Sequence, residues 1–172
     1  MFFDPAIWNQ TNLQLESSES GDHFGNMLVR GDFNGDGYAD AAIGVPREGL
    51  GYPRATNAGI VHVLYGSSDG LNREAGFANI LQTDVGADDI GTSVQFGDTL
   101  VAGDFDNDGY DDLAIGTPVL GDSSGHISLV FGASNGLNKG KRPQSLPYYP
   151  IGTRDELQGG NRYHEIIVLA AG

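Results

Sequence analysis

The chain has no cysteine. Disulfides and thiol chemistry are therefore excluded, and the redox state of its compartment leaves no trace in the sequence. Basic residues are scarce: nine Lys and Arg stand against 23 Asp and Glu, a formal charge of −14. That balance argues against nucleic acid or an anionic membrane as partner, since both attract a basic face. No apolar run is long enough to span a bilayer, which argues against membrane insertion, and Met1-Phe-Phe-Asp4-Pro5 lacks the basic segment and apolar stretch of a signal peptide. Aliphatic residues at helical spacing are missing as well. Glycine, by contrast, is abundant at 27 of 172 residues, more than twice its usual share. The composition describes an all-β chain with many tight turns, long enough to bury a core.

The most informative stretch is Asp32-Phe-Asn34-Gly-Asp36-Gly-Tyr38-Ala-Asp40, which recurs as Asp104-Phe-Asp106-Asn-Asp108-Gly-Tyr110-Asp-Asp112. Side-chain oxygens at the first, third, fifth and ninth positions, with a glycine at the sixth and a carbonyl at the seventh, suit a hard cation. Calcium accepts six to eight oxygens at about 2.3 to 2.6 Å with irregular geometry, whereas magnesium demands a stricter octahedron. The candidate ligands are thus Asp32, Asn34, Asp36, the Tyr38 carbonyl and Asp40 at one site. Asp104, Asp106, Asp108, the Tyr110 carbonyl and Asp112 form the other. A polar turn would use the same residue types, but recurrence of every oxygen-bearing position needs a further cause. The EF-hand is excluded, because its loop requires Glu at the twelfth position and a following helix. Here those positions are Ile43 and Ile115, inside short apolar runs that end in Gly44-Val-Pro46 and Gly116-Thr-Pro118 and read as buried strands. Two bound calcium ions would bring the charge from −14 to −10.

The loops are the centre of a longer repeat. Their first aspartates lie 72 residues apart, and Phe24-Gly25 and Phe96-Gly97 precede them at equal distance. Alternating runs follow at 59–65 and 125–131, each closed by an Asp-Gly or Asn-Gly turn. Four strands are expected per unit, near 27–32, 39–44, 59–65 and 78–83, then near 98–104, 111–116, 125–131 and 144–148. Four antiparallel strands per repeat of this length describe a propeller blade.

In order and spacing these motifs resemble the FG-GAP repeat of integrin α-subunit heads and related bacterial proteins. The likeness is strong over 24–138 and weak outside it. It implies a seven-bladed β-propeller with calcium between the first two strands of a blade, and roles in adhesion or extracellular recognition, hence a secreted or cell-surface setting. Seven blades would need roughly 500 residues, so about two and a half blades are expected here, as a fragment or open arc. The expected divisions are an outer strand and entry loop from a preceding blade over 1–23, blades over 24–83 and 84–148, and a degenerate third repeat over 149–172. Phe-Gly is absent from the third unit, where Tyr163-His164 stands. Exposed blade edges would favour self-association.

Other motifs compete for attention. Arg30-Gly31-Asp32 matches an adhesion tripeptide, yet its aspartate is the first calcium ligand. Gly66-Ser67-Ser68-Asp69-Gly70 and Gly132-Ala-Ser134-Asn-Gly136 match a nucleophile elbow but lack the helix that must follow, so duplicated hairpin turns are expected and no catalytic residue is assigned. The histidines lack partners at zinc spacing. A protein or glycan ligand would dock at the rim opposite the calcium loops, as the resemblance implies. There the 47–58 connection exceeds its 119–124 counterpart by six residues and carries Arg47, Tyr52 and Arg54. The resemblance also admits a non-catalytic scaffold attached to a secreted hydrolase or phospholipase. Asn9-Gln-Thr11 is a glycosylation sequon.

Overall fold

A computed structural model describes residues 8–11, 19–50, 55–71, 73–86, 91–118, 125–139 and 145–147. Eight strands run through them: β1 Met27–Gly31, β2 Asp40–Val45, β3 Ile60–Leu64, β4 Phe77–Ile80, β5 Thr99–Gly103, β6 Asp112–Thr117, β7 His126–Val130 and β8 Ser145–Pro147. They form two four-stranded antiparallel sheets, each in simple chain order. The Asp69-Gly70 and Asn135-Gly136 turns lie in the connections that follow β3 and β7. Each sheet is one propeller blade. Equivalent registers confirm the repeat: Met27 pairs with Gly44 and Gly31 with Asp40, as Thr99 pairs with Gly116 and Gly103 with Asp112.

The strand forecast differs from the structure mainly at the end of the first blade. The strand expected near 78–83 stops at Ile80, and Gln82–Val85 wind into a short 3-10 turn. Asp84 explains the change, because its carboxylate turns back to accept the Leu81 amide at 2.9 Å. The outer strand expected before residue 23 is not seen in the described part, where Gln10 and Thr11 form a turn. The third repeat, 149–172, lies outside the described residues.

Burial follows from stacking blade on blade. β2 and β3 are buried along their whole length, so both of their faces are covered. One face meets the second blade. Ala42, Val61 and Val63 join Phe96, Leu100, Leu113 and Ile115 in a shared core. On the other face Ile43 and Leu64 pack against Trp8 and Phe24. β1 and β5, the first strands of their blades, alternate between cover and solvent.

Glycines set how closely the blades approach. A Cβ on Gly44 or Gly59 would collide with the backbone carbonyl of Gly97 or Phe96, and the Phe96 amide donates to the Ala58 carbonyl at 3.0 Å. Phe-Gly of the second unit therefore seats on glycines of the first. Phe96 is fully buried there. The long 47–58 connection folds over a small cluster of its own, Leu50, Ala55 and Ala58 with Leu81, closed by a bridge between Leu50 and Ala55.

His62 and Ser128 occupy equivalent places in the third strands, and both are buried. Nδ1 of His62 donates to Asn79 Oδ1 at 2.8 Å, while its Nε2 is enclosed without a hydrogen-bond partner. Burial pushes the pKa of this imidazole down, against a smaller upward pull from Asn79. A folded-state pKa below the unfolded value of 6.5 means that the histidine supports folding fully above that pH and opposes it as pH falls below. Unfolding free energy is expected to drop below pH 6.5 by up to about 1.4 kcal/mol per pH unit from this residue. Urea titrations at stepped pH should show a flatter dependence in His62→Gln, with a remainder from His126, which burial shifts the same way. Identical slopes in the two proteins would contradict the assignment.

Candidate metal centres

Each acidic loop is closed by the sheet itself. Gly31 pairs with Asp40 and Gly103 with Asp112, so residues 32–39 and 104–111 must turn within a fixed span. The first aspartate wraps that turn. Asp32 Oδ1 accepts the Asp36 amide at 3.1 Å and Oδ2 the Gly37 amide at 2.9 Å. Asp104 repeats this with Asp108 at 3.1 Å and Gly109 at 2.9 Å. The wrap requires left-handed backbone at two positions. Gly37 and Gly109 supply it at the sixth, as the sequence pattern indicates, while Gly35 and Asn107 supply it at the fourth. Asn is among the few side-chain residues that tolerate this conformation.

The third and fifth positions then converge. In the second loop, carboxylate oxygens of Asp104, Asp106 and Asp108 lie within 4.8 Å of one another. The first loop places Asn34 in the Asp106 position, and its Nδ2 donates to Asp36 Oδ2 at 2.8 Å. Asp36 and Asp108 also accept the amides of Tyr38 and Tyr110, at 2.8 and 3.0 Å. The fifth and eighth members of both loops are solvent-facing or half-buried, so an ion has open access.

The ninth aspartates stand apart from that cluster. Asp40 Oδ2 accepts the Phe33 amide and Oδ1 the Gly66 amide, both at 2.8 Å. Asp112 does the same with Phe105 and Gly132, again at 2.8 Å. Each ties the start of its loop to the chain leaving the third strand, a role that the sequence pattern does not reveal. Both are buried. Burial raises the pKa of each, opposed by the two amide hydrogen bonds; the nearby charges of Asp36 and Asp32, or of Asp106 and Asp108, add to the rise. An oxygen that accepts one amide keeps a second lone pair, so these hydrogen bonds leave capacity for a ligand.

The donor set fits a divalent cation. It consists of oxygen alone, held close enough for like charges to repel, and a hard ion such as calcium relieves that repulsion. Asp32, Asn34, Asp36 and Asp40 would hold one ion with the Tyr38 carbonyl, and Asp104, Asp106, Asp108 and Asp112 another with that of Tyr110.

The remaining sequence candidates fall elsewhere. Arg30 and Gly31 lie within β1 and Asp32 is engaged in its loop, so the tripeptide is not displayed on a free turn. Ser67 and Gly70 exchange backbone hydrogen bonds at 3.0 and 2.9 Å, as a hairpin turn does. Arg47 is exposed, whereas Tyr52 and Arg54 lie outside the described residues. No helix among the described residues is long and apolar enough to cross a membrane.

Residues 24–64 and 96–130 match the FG-GAP repeat profile. The chain is 30% identical over 118 residues to integrin alpha-4 of Xenopus laevis, covering 68% of the chain and 10% of that protein. Integrin alpha-PS3 of Drosophila melanogaster is 30% identical over 124 residues, 72% of the chain and 10% of the relative. Phosphatidylinositol-glycan-specific phospholipase D of Mus musculus is 38% identical over 104 residues, 60% and 11% respectively. The chain thus spans about a tenth of the length of these relatives.

The two kinds of aspartate should separate in mutation. Asp40→Ala leaves two buried amides without an acceptor, an expected loss of about 2 kcal/mol or more, visible as a lower melting temperature even in excess chelator. Asp36→Ala, at an exposed position, should leave the chelator melt within about 0.5 kcal/mol of the parent and act only when calcium is present. Equal chelator melts for the two variants would contradict the division of labour.

Proposed function

The chain belongs to the FG-GAP repeat family, and from that premise we propose that its two propeller blades bind calcium and serve structure and recognition outside the cell. The observation that carries this reading is the approach of Asp104, Asp106 and Asp108, whose carboxylate oxygens lie within 4.8 Å of one another; the first loop has Asn34 at the Asp106 position, its Nδ2 donating to Asp36 Oδ2. Exposed loops of this kind suit the millimolar calcium found outside cells, where modest affinity suffices.

The mechanism proposed is structural. Asp32, Asn34, Asp36 and Asp40, and likewise Asp104, Asp106, Asp108 and Asp112, would hold an ion that offsets their mutual repulsion, and the first hairpin of each blade would be fixed by it, so that binding energy would become folding energy. Protein or glycan ligands would then meet a rigid rim opposite the loops, where Arg47 is exposed and the 47–58 connection has its own small core. The sequon residue Asn9 is exposed too, as a glycosylated site must be.

A second reading rests on the 38% identity to phosphatidylinositol-glycan-specific phospholipase D. In it the same blades are a non-catalytic scaffold for a secreted hydrolase. Adhesion assays beside esterase and phosphodiesterase assays on the full-length gene product separate the two.

Calcium at 100 times its dissociation constant should stabilise the fold by about 2.7 kcal/mol per site, read as a rise in melting temperature that chelator reverses. The second loop offers four carboxylates and the first three, so the second should hold calcium more tightly. Calorimetric titration is expected to leave the tighter site in Asp32→Ala and the weaker one in Asp104→Ala. Higher residual affinity in the Asp104 variant would overturn that ranking.

A further inference from the structure

The two loops touch, and the contact is not part of the repeat. Asp111, at the eighth position of the second loop, accepts the Asp32 amide through Oδ2 at 2.7 Å. Its own amide returns to the Asp32 carbonyl at 3.0 Å. The first proposed ligand of loop one is thus held on both sides of its backbone by a residue of loop two. Tyr110 adds a second contact. Its ring lies over Gly35, where a Cβ would come within 2.5 Å of Cε1. One residue after Asp32, the Phe33 carbonyl accepts the Ala133 amide at 3.2 Å. In the first loop the eighth position is Ala39, which has no carboxylate to offer a neighbour.

We infer that Asp111 couples the two proposed calcium sites, so that filling either loop strengthens the other. This rests on the calcium reading above. Asp111 sits between Tyr110 and Asp112, two proposed ligands of the second ion. An ion held there fixes the chain on both sides of Asp111 and keeps its carboxylate and the Tyr110 ring against the first loop. The Asp32 backbone and the Gly35 turn are then ordered before their own ion arrives. Thermodynamic linkage makes the effect equal in both directions. Repulsion between the ions opposes it, and physiological salt weakens that repulsion at separations beyond about 8 Å. Asp111 acts as a positioning residue and need not touch either ion.

The test is a calorimetric calcium titration of the 172-residue chain at physiological salt, beside Asp36→Ala and Asp108→Ala, which each leave one loop intact. The product of the two stepwise association constants of the parent should exceed the product of the two single-loop constants by about five-fold or more. Repeating the set with Asp111→Ala should bring that ratio to about one. With Asp111→Asn, whose amide oxygen can still accept from Asp32, the ratio should stay high. A ratio near one in the parent, or a ratio that Asp111→Ala leaves unchanged, overturns the coupling while leaving two calcium sites in place. If Asp111→Ala loses the strand signal in circular dichroism, the parent ratio and the Asn variant decide. No calcium heat from the parent overturns the calcium reading itself, and the coupling with it.

Discussion

A buried carboxylate must be satisfied on every side, and the aspartate that opens the second strand of each blade meets that demand with two backbone amides. Asp40 bridges Phe33 and Gly66, and Asp112 bridges Phe105 and Gly132, at the same distances. The start of the acidic loop and the chain leaving the third strand are thereby held to the head of the second. Everything above that bridge inherits its geometry: the wrap of Asp32 or Asp104 around the turn, and the convergence of the third and fifth side chains. An isolated carboxylate in such a place is costly. The hydrogen bonds offset that cost, and a cation drawn to the neighbouring acids would act in the same direction. The loop is therefore a feature of the sheet as much as a candidate metal site.

The blades depend on one another through backbone approach. Phe96 and Gly97 fit against Gly44 and Gly59, and the fully buried Phe96 ring extends the core that Ala42, Val61 and Val63 begin. Tyr65 reaches across in the other direction, its hydroxyl accepting the Leu137 amide at 3.0 Å. Gly136 lies close beneath that hydroxyl, and a Cβ there would come within 2.1 Å of it and displace the Tyr65 side chain. The acidic loops and the interblade packing meet at Asp111 and Tyr110. A change at one loop is consequently felt by the sheet that carries the other.

Much of this was legible in the sequence because it recurs. Two copies of the loop, spaced 72 residues apart, identified the blade, the four strands and the candidate ligands, and the observed strands fall within a few residues of those expected. What recurrence conceals is any contact made by only one copy. Asp111 faces Ala39, and Tyr65 faces Phe131, in the repeat alignment; such differences look like drift until the fold shows a neighbouring blade beside them. The amide-bridging role of Asp40 and Asp112 was hidden for another reason. A ninth-position aspartate looks the same in sequence whether it binds an ion, caps two amides, or does both. β4 ends at Ile80, short of the expected strand, because Asp84 captures the Leu81 amide locally, a choice that alternation of apolar residues does not encode.

If the two acidic loops hold cations through the ligands named, direct observation of the ion is the sharpest test. Crystals grown in calcium, or exchanged into terbium, should give anomalous peaks about 2.3 to 2.6 Å from oxygens of the proposed ligands, one in each loop. The first peak should lie among Asp32, Asn34, Asp36 and Asp40, and the second among Asp104, Asp106, Asp108 and Asp112. Loops without anomalous density in saturating calcium, their carboxylates turned apart into solvent, would contradict the account.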